Sequence, residues 1–152
     1  DPRDKNSSTE SAELAKQLIN EITDYPKEKI SDVEISIASC SFSKGIKPDL
    51  LEAKILQDAD GLEATGALSI MRTFASSGIM KRSFYNPEDP LAKRREVDDR
   101  SFALDLFFTR LLKVIDRMHT ATAKRIAERR TAFLEKFLEE LTEELRETGH
   151  KL

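Results

Sequence analysis

The sequence predicts an all-α fold, and three features carry that expectation. Apolar residues recur at three- and four-residue steps in several stretches, as they do on the inner face of a helix. No strand-like pair of alternating stretches joined by a short hairpin turn appears, so strands and hairpins have no support. Prolines and glycines fall between the periodic stretches, where helices start and stop. With 152 residues and a hydrophobic content of 39%, the chain can bury one sizeable core. A single domain over residues 1–152 is expected.

The elements follow in order. Residues 1–8 are polar and lack periodicity. Ser7 and Glu10 have the spacing of a capping box and lead into a helix with Ala15, Leu18, Ile19 and Ile22 as its inner stripe. Asp24-Tyr25-Pro26 closes it, because the residue before proline is pushed out of the helical region. Pro26 then opens a second helix with Ile30, Val33 and Ile37 on one face. A loop from Cys40 to Gly45 follows, and the helix resumes after Pro48. The run from Glu52 to Phe74 is helical, with a bend or close packing at Gly61 and Gly66, each of which weakens a helix by roughly 1 kcal/mol relative to alanine. Residues 79–100 hold Tyr85-Asn86-Pro87, Asp89-Pro90 and the cluster Lys93-Arg94-Arg95-Glu96. They read as a long loop, either a lid or a plain excursion. From Ser101 the chain is apolar on nearly all sides and belongs in the middle of a bundle. The last helix, from about Thr122 to Arg146, carries Ile126, Phe133, Phe137, Leu141 and Leu145 as its stripe. Its glutamates face solvent.

Composition excludes several classes of function. There are 25 basic and 28 acidic residues, a net charge of −3, so no basic field is available for a nucleic-acid duplex or an anionic membrane. No apolar run approaches the roughly 18 residues of a membrane span. The lone cysteine, Cys40, precludes an internal disulfide framework and fits a reducing compartment, so a cytoplasmic location is expected. The chain opens on Asp1-Pro2, which is read as a fragment, a processed product or a trimmed form.

The stretch around Asp58 and Asp60 is the first place to look for chemistry. Carboxylates among apolar residues are costly unless paired, hydrogen-bonded or bound to a cation. The two aspartates are two residues apart, roughly 200° around a helix, and cannot both face one site. Lys54 and Asp58, four apart, have the spacing of an ordinary ion pair, and that is the plain reading of Asp58. Asp60 and Glu63, three apart, can share a face, and Asp60 is the better candidate for a functional carboxylate. A divalent metal would need further ligands. The two histidines, His119 and His150, have no ligand spacing to each other or to an aspartate. Cys40 has no activating histidine nearby. Glycine-rich phosphate loops and nucleophile elbows are absent from the sequence.

The runs Ser41-Phe42-Ser43, EAKILQDADGLEATGAL (52–68), Arg72-Thr73-Phe74, Leu111-Leu112-Lys113 and MHTATAKRIAERRTAFLEKF (118–137) resemble the HD-domain metal-dependent phosphohydrolases. Their small bacterial and fungal branch is the nearest likeness, and the match runs over residues 1–145 in order. The resemblance implies a helical bundle holding one or two divalent ions (manganese, magnesium, nickel or iron). The implied ligands are an early histidine, a His-Asp pair and a later aspartate, which falls on Asp60. Asp58, Glu63 and Cys40 would stand beside it, and Lys44, Lys54 and Arg72 would face phosphate. The metal would polarise a phosphoryl oxygen and lower the pKa of the attacking water. A nucleotide or another phosphorylated small molecule would be the substrate.

The departures from that pattern matter as much. The histidine and the His-Asp pair are expected upstream of Asp1, so the chain is read as the C-terminal part of an HD-like domain without its N-terminal helices. Cys40 stands where a histidine is usual, Gly61 where an arginine follows Asp60, and Leu106 where a histidine is often found. Three functions are therefore compatible with the sequence. One is an HD-type hydrolase inactive as the isolated chain. Another is a degenerate HD domain serving as a non-catalytic binding or scaffold module. The third is a helical interaction protein that docks through its last helix. Self-association through surface left open by the missing helices is expected in any of them.

Overall fold

A computed structural model describes residues 7–41 and 45–150. Its described secondary structure is helical throughout, apart from one isolated bridge between Ser83 and Phe102. The α-helices are α1 (Ser7–Asn20), α2 (Ile30–Ser39), α3 (Leu51–Leu62), α4 (Gly66–Ile79), α5 (Asp105–Thr109) and α6 (Ala121–Glu147). Three single 3-10 turns, Lys27–Lys29, Leu111–Lys113 and Ile115–Arg117, join them. The chain forms two compact units, residues 1–61 and residues 62–152.

In the first unit α1 and α2 lie antiparallel. The Ser8 hydroxyl donates to the Ala38 carbonyl at 3.2 Å, and Lys16 pairs with Glu34 at 2.8 Å. Ala12 is buried and its small side chain permits the close approach, whereas Leu18 and Ile22 are half-exposed. The inner face of α1 thus keeps Ala15 and Ile19 of the expected stripe, both half-buried, and leaves Leu18 and Ile22 outside it. α1 also ends before Pro26 can act, at Asn20. There Lys27 donates to the Asn20 carbonyl at 3.3 Å, meeting one of the acceptors a helix end leaves open. Gln57 ties the rest together. It is buried, and its amide donates to the carbonyls of Ser39 and Ile46, both at 2.8 Å. One side chain of α3 thereby holds the end of α2 and the segment beyond the following loop.

The second unit is built on α4 and α6. Leu104, Phe107, Leu111 and Leu134 form its buried cluster, with Ile70, Phe74, Phe137 and Leu141 packed against it. The apolar run after Ser101 does occupy the centre, but as three short turns rather than one helix. Phe107, Phe108 and Thr109 are all indifferent helix formers. The backbone switches between α and 3-10 bonding there, while Phe107, Leu111, Val114 and Met118 keep their inward spacing. α6 spans almost the predicted residues. Its buried positions are Ala123, Ala127, Thr131, Leu134 and Leu145, and Phe133, assigned to the stripe from the sequence, is half-exposed.

The run from Glu52 to Phe74 divides into two helices at residues 63–65. Gly66 has φ +72°, a left-handed value that costs an ordinary residue roughly 1–2 kcal/mol. A Cβ there would sit 3.1 Å from Cγ of Arg130. Arg130 reaches the break from α6, donating to the Leu62 carbonyl at 2.9 Å and to the Thr65 hydroxyl at 3.4 Å. Gly66→Ala is expected to lower stability by about 1–2 kcal/mol in urea unfolding, from the strained φ together with the displaced arginine. At Gly78, where an added Cβ meets nothing within 4 Å, the same substitution should raise stability by up to about 1 kcal/mol.

The loop of residues 80–104 is tied down by polar groups. The Asn86 side chain accepts from the backbone N–H of Glu88 and Asp89. The Asp89 carboxylate accepts from the N–H groups of Lys93, Arg94 and Arg95, at 3.0, 2.7 and 3.1 Å. Those bonds, with the Arg94 amide the strongest, hold its pKa below the usual carboxylate value. Asp98 is lowered in the same direction, chiefly by the Ser101 hydroxyl. Arg95 then forms a two-pronged pair with the buried Asp105, at 2.5 and 2.7 Å.

Candidate functional site

The residues singled out from the sequence fall into two groups. In the first unit, Asp58 and Asp60 lie on different sides of α3, as their spacing requires. Asp58 is buried and Asp60 exposed. Lys54, one turn before Asp58 on the same helix, is half-buried. Cys40 caps the C-terminal end of α2 and is half-buried. The bonds of Gln57 fix the segments on either side of the Cys40 loop. Lys44 and the Phe42-Ser43 pair lie outside the described residues.

In the second unit, Glu63 follows the end of α3 and Arg72 lies on α4. The structure brings these two together: Nη1 of Arg72 donates to Oε2 of Glu63 at 2.8 Å, with both side chains well exposed. An exposed pair of this kind contributes little to stability. It does place the Arg72 guanidinium beside a carboxylate. Leu106, at the position where a histidine is often found, is buried. His150 lies edge-on to Tyr85 with ring centroids 5.9 Å apart, and its Nδ1 is 3.2 Å from the Leu145 carbonyl.

Metal chemistry needs at least three donors converging on one point. Among the described residues no group of three or more His, Cys, Asp or Glu side chains is placed to hold a metal ion. The described donors therefore do not fit a metal centre. Reading the sequence missed Gln57, Arg130 and the Arg95–Asp105 pair. Asp105 carried a signal, since it is the one charge in the apolar run Phe102–Phe108. Gln57 and Arg130 carried none, because their partners are backbone carbonyls far away in the chain. Among the described residues, no helix is long and apolar enough to cross a membrane.

The architecture is the all-helical fold of HD-superfamily hydrolases. A crystal structure of an HD-superfamily hydrolase from Bacillus thuringiensis matches it with TM-score 0.67 and 32% identity, over 91% of this chain and 62% of that one. The Lin1889 protein of Listeria innocua matches with TM-score 0.68 and 31% identity, over 91% of this chain and 74% of its own. By that identity and coverage the chain belongs to the protein family of Lin1889. It is also similar to YpgQ of Bacillus subtilis, at 33% identity over 99 residues, which is 65% of this chain and 42% of YpgQ. The crystal structure of YpgQ in complex with ADP matches with TM-score 0.66 and 30% identity, over 88% of this chain and 63% of that one. The chain thus spans less than two thirds of the length of YpgQ and of the Bacillus thuringiensis hydrolase. No protein-family model matches it.

Proposed function

We propose that this chain is an HD-type nucleotide phosphohydrolase module that does not turn over substrate as an isolated polypeptide. The placement of Asp60 carries the reading. By resemblance it is the one metal ligand present, and it stands exposed on α3 with no described cluster of donors around it. A single carboxylate does not hold a divalent ion against water. The ADP complex of YpgQ supports a nucleotide as the ligand class.

The burial of a leucine at position 106, with cysteine at position 40 and glycine at position 61, favours a second reading. In it the domain binds a nucleotide and never hydrolyses it. Metal analysis after dialysis against manganese, nickel and iron, followed by ADP titration calorimetry and a nucleotidase screen, separates the two from an active enzyme. The expected result is well under one ion per chain and no phosphate release. Heat of ADP binding without hydrolysis would identify the binding module. One ion per chain with turnover would overturn both. In any longer form that is active, Asp60→Ala should abolish metal binding and activity together.

A further inference from the structure

The charges of α6 stand in an order that helix physics alone disfavours. Between residues 121 and 130 there are four basic residues and one acidic, and between 135 and 147 six acidic and two basic. A helix dipole favours the reverse, acid at the start and base at the end, yet the first turn of α6 holds no acidic residue. An exposed stripe runs along the helix from Thr122 through Arg125, Arg129, Phe133, Lys136, Glu140 and Glu144 to Glu147. It lies within a sector about 100° wide, on the side away from the buried Ala127, Thr131 and Leu134. Among the described residues the ion pair of α6 joins Arg146 to Glu143, so the six charges of the stripe are unpaired within the chain.

We propose that α6 pairs antiparallel with α6 of a second copy along this stripe, about a two-fold axis level with the Leu134–Glu135 bond. The steps between its residues, 3-4-4-3-4-4-3, read the same in both directions, as a symmetric interface requires. Arg129 of each copy then faces Glu140 of the other, Arg125 faces Glu144, and Thr122 faces Glu147. At the centre each Phe133 lies against the stem and the cation of Lys136. No charge faces a like charge. A parallel pair would set base against base and acid against acid, so the charge order selects the antiparallel one.

The contact extends roughly 38 Å along the helix. If each of its side chains withdraws on the order of 80 Å² from water, the pair buries roughly 1,300 Å², within the range of a specific interface. Exposed ion pairs are individually weak and are screened by salt. The dimer is therefore a weak one, formed in the micromolar range and only at low ionic strength.

Sedimentation velocity over a series reaching high micromolar concentration tests this. In about 50 mM sodium chloride the mass should rise from one chain to two, and in about 500 mM the dissociation constant should be roughly tenfold higher or more. Charge reversal tests the register. Arg125→Glu with Arg129→Glu should leave the chain single, and so should Glu140→Arg with Glu144→Arg, because each variant sets like charges opposite one another. An equimolar mixture of the two should dimerise again, since the reversed halves match. All four positions are exposed, so the far-ultraviolet circular dichroism should be retained. Should a variant fail to fold, the salt series on the wild-type chain still tests the pairing. A wild-type chain that stays single in low salt overturns the proposal, as does a dimer indifferent to salt. A dimer kept by either variant alone, or a mixture that stays single, overturns it equally.

Discussion

Asp105→Ala is expected to destabilise the second unit by about 3–5 kcal/mol, the cost of removing one partner from a buried ion pair. Asp105 is fully buried, and Arg95 is exposed only at its edge. Both carboxylate oxygens are used: Oδ2 accepts from Nη1 of Arg95 and from the backbone N–H of Asp98 at 2.6 Å, while Oδ1 accepts from Nη2. The guanidinium also lies over the Phe102 ring, 4.7 Å from its centre, and donates to the carbonyls of Asp89 and Glu96. Deleting the carboxylate leaves a cation and a backbone amide without their acceptor in a largely dry site, which is what makes the loss large. Charge neutralisation alone should do less harm. The double variant Arg95→Met with Asp105→Leu should recover much of the loss, because neither group is then left uncompensated. Urea unfolding followed by circular dichroism gives the answer as a shifted midpoint at constant slope. A shift worth less than about 1 kcal/mol would mean the pair behaves like a solvent-screened surface bridge.

That pair also marks where sequence reasoning stopped. Periodicity and breakers located α6 to within a residue and put the run after Ser101 at the centre, while the helix expected from Pro26 begins as a 3-10 turn over Lys27–Lys29 and becomes α2 only at Ile30. Those features are local, and hydrophobic spacing records them. Periodicity does not say which apolar residues meet a partner. Leu18, Ile22 and Phe133 have the right spacing yet are half-exposed, while Ser8, Ala12 and Thr131 are buried. The polar ties were less visible still. Arg130 bonds a carbonyl 68 residues away, and Gln57 one 18 residues away. Any residue can supply a backbone carbonyl, so neither bond leaves a mark on the sequence. The two aspartates of α3 show the boundary well. Their spacing fixed that they part, and only the fold decided that Asp58 goes in and Asp60 goes out.

Phe107→Ala tests the core in the same units, with an expected loss of about 3–5 kcal/mol, the range for removing a buried aromatic. Phe107 is the largest fully buried side chain in the protein's described core. Its ring stacks on Phe137, with centroids 5.6 Å apart and planes inclined by 16°, and meets Phe74 at 6.3 Å. These contacts bind the run after Ser101 to both α4 and α6, and one truncation opens a cavity that touches three elements. Such a cavity costs more the less its walls can collapse. Here two walls are long helices held together elsewhere by Arg130 and its bonds. Phe133→Ala on α6 is the matching control. Its ring is half-exposed, so the same chemical change should cost well under about 1 kcal/mol. Equal losses at the two positions would mean that α6 turns Phe133 inward as the sequence stripe had it. A large gap between them fixes the rotation of α6, and with it which of its faces remains free.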